Sequence, residues 1–369
     1  MLIILAAGGT GGHLFPAEAL AYELNRLGHL VHLVTDDRMQ QYTGSFPTQS
    51  IHVVSSGTIK SMNIKTIAQA VWYTAKGMWS SFKLIRSLKP SVVVGFGGYP
   101  SYPTVKTAQL LSLPTIIHEA NAVMGRANRA LARRATHIAV SCHTTNLLKN
   151  NLADKVVYTG NPVRKSVLEL ANLSYNKPDH EDGSVNLLVF AGIQGSHYFG
   201  HLVPETIKLL PDKMRRRLKL TQQVSDKDYA VLSRLYKQLG VEAELSTFFE
   251  DLPLRIAQSH LVLCRSGAST VSELSAIGRP AIMIPFPWSL DQDQMENAKQ
   301  LECIGGGWIM QQKQSNPESM ANLLTKLLSN PSMLSSAALS IRKTSALDAA
   351  AQLAELVERC GSVTKKTRK

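Results

Sequence analysis

Leu2-Ile3-Ile4-Leu5-Ala6-Ala7-Gly8-Gly9-Thr10-Gly11-Gly12-His13 is the stretch on which the fold turns, and Ser91-Val92-Val93-Val94-Gly95-Phe96-Gly97-Gly98-Tyr99-Pro100 repeats its form. Each is a short apolar run that ends in glycines. Such a run reads as a buried strand, and the glycines as a turn that exposes backbone N–H groups. Those N–H groups, with the helix that follows, make an anion site. Two such turns point to a diphosphate ligand: a dinucleotide, a nucleotide-sugar or a lipid diphosphate.

The pattern continues outward from both stretches. Strands are predicted at 2–7, 30–35, 51–54, 91–95, 114–118 and 137–140, with helices between them, for example 16–27 and 123–134. Alternation of this kind predicts a parallel sheet with helices on both faces. Residues 172–184 are polar and read as a loop, and a second alternating block starts at Val185 and runs through 261–263 and 281–285. The expectation is an α/β chain of two Rossmann-like domains facing an interdomain cleft, with the boundary near Gly160-Asn161-Pro162. The N-terminal domain would span 1–160, the C-terminal domain 161–345, and a C-terminal helix with a basic tail 346–369. Ligands in such folds bind at the carboxyl ends of the strands.

Composition narrows the partners. The chain has 369 residues, with 40 Lys+Arg against 27 Asp+Glu, a formal net charge of +13. That excess favours an acidic partner, such as a phosphorylated substrate, an anionic membrane surface or nucleic acid. No nucleic-acid recognition motif accompanies it, so nucleic acid is not expected. Cys142, Cys264, Cys303 and Cys360 are far apart and match neither a metal spacing nor a disulfide framework, which points to a reducing compartment. No apolar run is long enough to span a membrane, and the first one is too short for a signal peptide. The dinucleotide reading fails on detail. A GxGxxG fingerprint would need glycine where Leu14 stands after the first strand and where Pro100 stands after the fourth.

Six segments, in order, give a more specific signal. They are Gly8-Gly9-Thr10-Gly11-Gly12-His13-Leu14-Phe15-Pro16-Ala17, Gly97-Gly98-Tyr99-Pro100-Ser101, His118-Glu119-Ala120-Asn121, Gly160-Asn161-Pro162-Val163-Arg164, Arg265-Ser266-Gly267-Ala268-Ser269-Thr270-Val271-Ser272-Glu273-Leu274, and Asp291-Gln292-Asp293-Gln294 with Asn297-Ala298. The set resembles the MurG family of glycosyltransferases, glycosyltransferase family 28, from residue 1 to about residue 350. The resemblance implies the two-domain GT-B architecture. It implies inverting transfer of N-acetylglucosamine from UDP-N-acetylglucosamine to lipid I, an undecaprenyl-diphosphate muramyl-pentapeptide, to form lipid II for peptidoglycan. It also implies a peripheral enzyme on the cytoplasmic face of the inner membrane, and no cofactor.

The same resemblance assigns roles by position. Thr10, Gly11 and Gly12 would face the acceptor's diphosphate or the transferred sugar. His13 could take the proton from the acceptor hydroxyl, since imidazole titrates near working pH; Glu119 and the pair Asp36/Asp37 are rival bases, and His13 could instead only cap or position. Glu273 would hold the ribose of UDP through two hydrogen bonds, although a helix acid of this kind is also favoured by the dipole alone. Arg164 would steady the departing diphosphate. Asn121, Gln294 and Asn297 would contact the donor sugar, and the backbone of Phe249 would read uracil. Asp291-x-Asp293 and Asp226-x-Asp228 imitate metal-binding pairs, but neither follows a clear apolar strand, so both are read as metal-free.

Three positions depart from the family pattern. Ile193 stands at the phosphates where the family has serine, Trp288 where it often has histidine, and Asp293 where some members have glutamine or histidine. These leave room for a related enzyme with another lipid acceptor, or for a non-catalytic protein that binds nucleotide-sugar. Residues 64–86 place Ile64, Ile67, Ala68, Val71, Trp72, Ala75, Met78, Trp79, Phe82 and Ile85 at helical spacing, with Lys65, Lys76, Lys83 and Arg86 beside them. This stripe is either an interfacial helix on anionic lipid or the inward face of an amphipathic core helix. Gly77 is expected to break the helix in two.

Overall fold

The computed structural model describes residues 1–37, 46–57, 63–178, 183–191 and 197–366. The chain divides into two compact units, Met1–Arg164 with Ala346–Lys369, and Lys165–Ser345. The first contains β1 (Leu2–Ala6), α1 (Gly11–Arg26), β2 (Leu30–Thr35), β3 (Ser50–Val53), α2 (Ile64–Leu88), β4 (Val92–Gly95), α3 (Gly98–Leu110), β5 (Thr115–Glu119), α4 (Arg126–Ala132), β6 (His137–Val140) and β7 (Val156–Tyr158). These strands form one parallel sheet in the order β3-β2-β1-β4-β5-β6-β7. The chain winds outward from β1 to β3, then restarts at β4 on the other flank of β1. The carboxyl ends of β1 and β4 are therefore the point where a ligand binds in a doubly wound sheet, and each carries one of the glycine loops.

Both faces of this sheet are covered. Val92 and Val94 of β4, whose side chains alternate with Val93, join Ile3, Leu5 and α1 in one apolar layer. Val93 points the other way, into a layer with Ile4, Ala6, Val105, Ile117 and Leu131. A sheet covered on both sides needs unbroken apolar strands rather than alternating ones, and that is why the valine run was a strong signal.

The second unit contains α5 (Lys165–Leu168), β8 (Val185–Phe190), α6 (His197–Leu209), α7 (Asp212–Arg217), β9 (Leu218–Gln223), α8 (Asp226–Gln238), β10 (Glu242–Ser246), α9 (Leu252–Gln258), β11 (Leu261–Cys264), α10 (Ala268–Ile277), β12 (Ala281–Met283), α11 (Asp293–Glu302), β13 (Gly307–Ile309), α12 (Pro317–Leu328) and α13 (Pro331–Arg342). Its parallel sheet runs β10-β9-β8-β11-β12-β13, with the switch between β8 and β11. The last helix, α14 (Ala349–Lys366), returns to the first unit. There Leu353, Ala354, Leu356 and Val357 join the layer that holds α1, and Glu358 accepts a hydrogen bond from His29 at 2.9 Å. Lys365 and Lys366 of the basic tail are thus the last helical residues, and Thr367–Lys369 lie outside the described residues.

Three local expectations are corrected. Helix α1 starts at Gly11, not at Pro16, because His13 and Leu14 already donate to the Thr10 carbonyl, at 3.2 and 3.3 Å. Pro16 therefore stands in the second turn, where its ring removes the N–H that would reach Gly12. The helix predicted over 123–134 shrinks to α4, since the chain before it is bound up in a loop described below. And α2 is one continuous helix through Gly77. A Cβ at that position would stand 2.0 Å from the Ser55 carbonyl oxygen. The glycine permits close packing of the helix on the 54–57 segment and does not break it.

That contact generates a stability prediction. Gly77→Ala forces α2 off the Ser55 backbone and should cost about 1–3 kcal/mol, as overpacking does. The midpoint of urea unfolding should fall with no change in secondary structure; an unchanged midpoint would show that α2 rides loosely on this segment.

Candidate functional site

The loops after β1 and β4 are braced by one carboxylate. Asp36, buried at the end of β2, accepts from the Gly9 N–H at 3.0 Å and from the Tyr99 hydroxyl at 2.9 Å. It thereby ties the first glycine loop to the first turn of α3. The approach is close: a Cβ on Gly8 would lie 2.6 Å from Asp36 Oδ1, and Gly9 itself has φ +85°, a conformation that favours glycine. Asp37, beside it, is exposed. Thr10 occupies the N-cap position of α1, and Gly11, Gly12 and His13 form its first turn. The imidazole of His13 lies across Gly97 and Gly98, so that a Cβ on Gly98 would fall 3.0 Å from His13 Cδ2. Both glycine loops and His13 therefore share the carboxyl end of the β1–β4 pair.

Glu119 closes β5 and is fully buried. Its Oε1 accepts from the backbone N–H of Asn121 at 3.0 Å and from the Asn121 amide at 3.2 Å. Its Oε2 accepts from the Gly125 N–H at 2.8 Å and from the Asn128 amide at 2.8 Å. Burial pushes its pKa up, and the four donors pull it back. The carboxylate is thus engaged in shaping the 119–125 turn, and Asn121 is part of the same network.

His118, one residue earlier, ties that turn to the chain that leaves the unit. Its Nε2–H donates to the Gly160 carbonyl at 3.2 Å, and complete burial pushes its pKa down to about 4. Four residues on from Gly160, the Arg164 guanidinium stacks on the Phe15 ring of α1 at 4.1 Å. Burial raises the pKa of Glu18, and the Arg164 charge opposes that shift. Arg164 therefore stands beside α1, a turn below the glycine loop.

In the second unit the loop after β11 is the organising feature. Ser266 donates to the Gln294 carbonyl at 2.7 Å, and the Asn297 amide donates to the Ser266 carbonyl at 3.1 Å. The Gln294 side-chain oxygen accepts from the Phe286 N–H at 3.0 Å. Asn297 is buried and holds the loop, whereas Gln294 is half-buried and links it to the chain after β12. Glu273 is nearly buried in the second turn of α10. Arg265 lies beneath, donating to the Ile284 carbonyl at 3.0 Å and to Gln312 at 2.8 Å. Phe249 is buried with the Arg255 guanidinium over its ring at 4.3 Å, which fixes the backbone that carries it. Ile193 lies outside the described residues. Asp228 accepts from Ser225 at 2.7 Å and from His197 at 3.0 Å. Among the described residues no three His, Cys, Asp or Glu side chains stand close enough to hold a metal ion.

Tyr99, His118, Asn128 and Arg265 carry much of this geometry without having been singled out by role. For His118 and Tyr99 the available signal was a polar residue inside a buried strand or directly after a glycine turn; Asn128, in α4, and Arg265, just after β11, carried no such signal. Such groups are kept only where hydrogen bonds compensate their burial.

Comparison with known proteins follows the same division. Residues 3–140 match the glycosyltransferase family 28 N-terminal domain, and residues 186–353 its C-terminal domain. A protein of Sinorhizobium fredii (strain NBRC 101917 / NGR234) is 48% identical over 361 residues, covering 98% of this chain and 96% of its own. A protein of Rhizobium leguminosarum bv. trifolii (strain WSM2304) is 46% identical over 357 residues, 97% of this chain and 95% of its own. Both are named UDP-N-acetylglucosamine–N-acetylmuramyl-(pentapeptide) pyrophosphoryl-undecaprenol N-acetylglucosamine transferase. The crystal structure of Acinetobacter baumannii MurG superposes with a TM-score of 0.77 at 26% identity, over 97% of this chain and 99% of that one. A UDP-GlcNAc 2-epimerase from Neisseria meningitidis shares the fold, with a TM-score of 0.69 at 15% identity over 97% of this chain and 100% of that one.

His118 yields a pH prediction. An unfolded histidine takes up a proton near 6.5, while the folded one stays neutral down to about 4. Folding then opposes protonation, so stability is full above pH 6.5 and is lost as pH falls through this window, by about 3 kcal/mol in all. His118→Gln, which keeps a donor toward Gly160, should remove that part of the loss. Unfolding midpoints at a series of pH values test it, and parallel curves for both proteins would refute it.

Proposed function

The chain belongs to glycosyltransferase family 28, and from that premise we propose that it transfers N-acetylglucosamine from UDP-N-acetylglucosamine to the C4 hydroxyl of the muramyl sugar of lipid I, releasing UDP and forming lipid II. The observation that carries this reading is the 46–48% identity to transferases of that name over almost the whole chain. The reaction inverts the anomeric carbon: the acceptor oxygen attacks as the bond to the UDP oxygen breaks. A base is then needed at the acceptor hydroxyl and positive charge at the leaving diphosphate.

His13 is our base. It stands at the head of α1 beside two loops rich in backbone N–H groups, and its ring is seated on Gly97–Gly98. Glu119 makes a poorer base, because four donors already occupy its oxygens; we assign it, with Asp36, to positioning. Thr10, Gly11 and Gly12 would then meet the acceptor's diphosphate at the first turn of α1, where the helix dipole favours an anion. Arg164 would supply charge toward the departing UDP. In the second unit, Glu273 would take the ribose, Phe249 the uracil and Gln294 the sugar. Asn121, in the first unit, is assigned a further sugar contact. Asn297 holds the Ser266 carbonyl and would act through that loop. No cofactor enters this scheme.

We further propose that α2 seats the protein on the anionic cytoplasmic face of the inner membrane, as a lipid-linked acceptor requires. Ala70, Gly77, Ser81 and Ile85 face inward, while Val71, Trp72 and Trp79 are 62%, 70% and 60% exposed. Much of the stripe, Ala68, Val71, Trp72, Ala75 and Trp79, is therefore exposed, and only its end at Ile85 turns inward. The Lys83 ammonium stands over the Trp79 ring at 5.4 Å and the Arg86 guanidinium over Phe82 at 5.5 Å. Exposed tryptophans with cations on their flanks suit the headgroup region. No described helix is long and apolar enough to cross a membrane.

Two experiments test these readings. Purified protein with UDP-N-acetylglucosamine should release UDP only when a short-chain lipid I analogue is present, and His13→Ala should lower kcat by about a hundred- to ten-thousand-fold. Release that needs a different lipid acceptor, or none at all, would overturn the assignment. Trp72→Glu/Trp79→Glu should abolish sedimentation with vesicles containing anionic lipid while leaving turnover of a detergent-soluble acceptor intact; unchanged sedimentation would remove α2 from the membrane contact.

A further inference from the structure

The chain after β12 carries an exposed aromatic pair that the scheme above does not use. Phe286 and Trp288 are 40% and 74% exposed, with ring centroids 5.4 Å apart at an interplanar angle of 65°. An exposed indole and phenyl side by side make a small contiguous apolar surface of the kind found in ligand-binding grooves. Their setting is the carboxyl end of a parallel sheet, beside the strand that borders the β8–β11 switch, where ligands of such sheets bind.

Phe286 is also held in place. The Arg265 guanidinium lies 5.5 Å from the Phe286 ring and is itself fixed by the Ile284 carbonyl and Gln312. The Phe286 N–H donates to the Gln294 side chain at 3.0 Å. Just beyond, Asp291 and Gln292 have φ of 53° and 56°, two successive non-glycine residues in the left-handed region. Strain of that kind is kept where the surroundings need the turn, and here the turn leads from Leu290 into the helix that presents Gln294.

We propose that Trp288 is a specificity residue of the donor site: its indole stacks on the apolar face of the N-acetylhexosamine ring of the nucleotide-sugar while Gln294 meets the ring's hydroxyls. The proposal rests on the donor assignment above. A pyranose offers axial C–H bonds on one face and hydroxyls at its edge. A flat aromatic side chain, with an amide that binds the backbone of its neighbour Phe286, answers both. Phe286 sets the angle of the indole, and Arg265 sets Phe286.

UDP provides the control, because it lacks the sugar. Trp288→Ala should weaken UDP-N-acetylglucosamine binding about fivefold, a loss of the size expected for an aromatic contact, and leave UDP binding unchanged. Trp288→Phe should restore most of it. Calorimetric titration of both ligands into wild type and variants reads this directly. Unchanged sugar-nucleotide affinity in Trp288→Ala overturns the proposal, as does an equal loss for UDP and UDP-N-acetylglucosamine. So does a variant whose only defect is a raised KM for the lipid acceptor or reduced sedimentation with anionic vesicles. Wild-type protein that binds neither ligand would instead end the donor assignment, and this proposal with it.

Discussion

The first unit depends on one carboxylate being placed between two backbone turns. A glycine loop can offer its N–H groups to a phosphate only if something else holds the loop open, because free backbone donors in a flexible turn find other partners. Asp36 does this from β2, accepting from Gly9 on one side and from Tyr99 on the other. The bond consumes a single N–H and orients the rest. It also explains glycine at position 8, where any side chain would collide with the carboxylate. Register in the sheet makes this possible: Ala6 of β1 pairs with Val34 of β2 and with Gly95 of β4, so all three strands end at one level.

The same device recurs one strand pair away. Glu119 accepts four hydrogen bonds and gives the 119–125 turn its shape. His118 then fastens the following strand ends to Gly160, and Arg164 lies against Phe15. Buried polar groups therefore link the 119–125 turn to the chain at Gly160. Each member is worth little net stability when satisfied and costs much when its partner is removed. Such networks specify one arrangement of loops more than they hold a domain together; the apolar layers on both faces of the sheet do that.

The fold was easy to see in the sequence where burial is two-sided. Leu2–Ala6 and Val92–Gly95 read as strands because a strand covered on both faces is apolar throughout, and Leu30–Thr35 and His137–Val140 because they are largely so. Val156–Tyr158, Leu218–Gln223, Glu242–Ser246 and Gly307–Ile309 escaped notice. β10 has charged residues at alternate positions because it lies at a sheet edge, and β9 beside it ends in two buried glutamines, Gln222 and Gln223. Site residues followed a similar division. Backbone-directed features, such as the glycine turns, could be placed from spacing alone. Side-chain networks could not, because Glu119 and Asn128, or Asp36 and Tyr99, meet only after the sheet has formed.

Helix α2 shows why pattern without tertiary context is ambiguous. An amphipathic stripe reads identically whether it faces a core or a membrane, since both remove apolar surface from water. What separates the two is which face the small residues occupy. Here Ala70, Gly77 and Ser81 are inward, and Gly77 admits the backbone of Ser55 where any side chain would collide. Close backbone packing on that side leaves no space for tryptophan, so Trp72 and Trp79 must project outward. The glycine that reads as a helix breaker is therefore the residue that decides which way the aromatic face points. The exposed apolar surface of this helix follows from that packing.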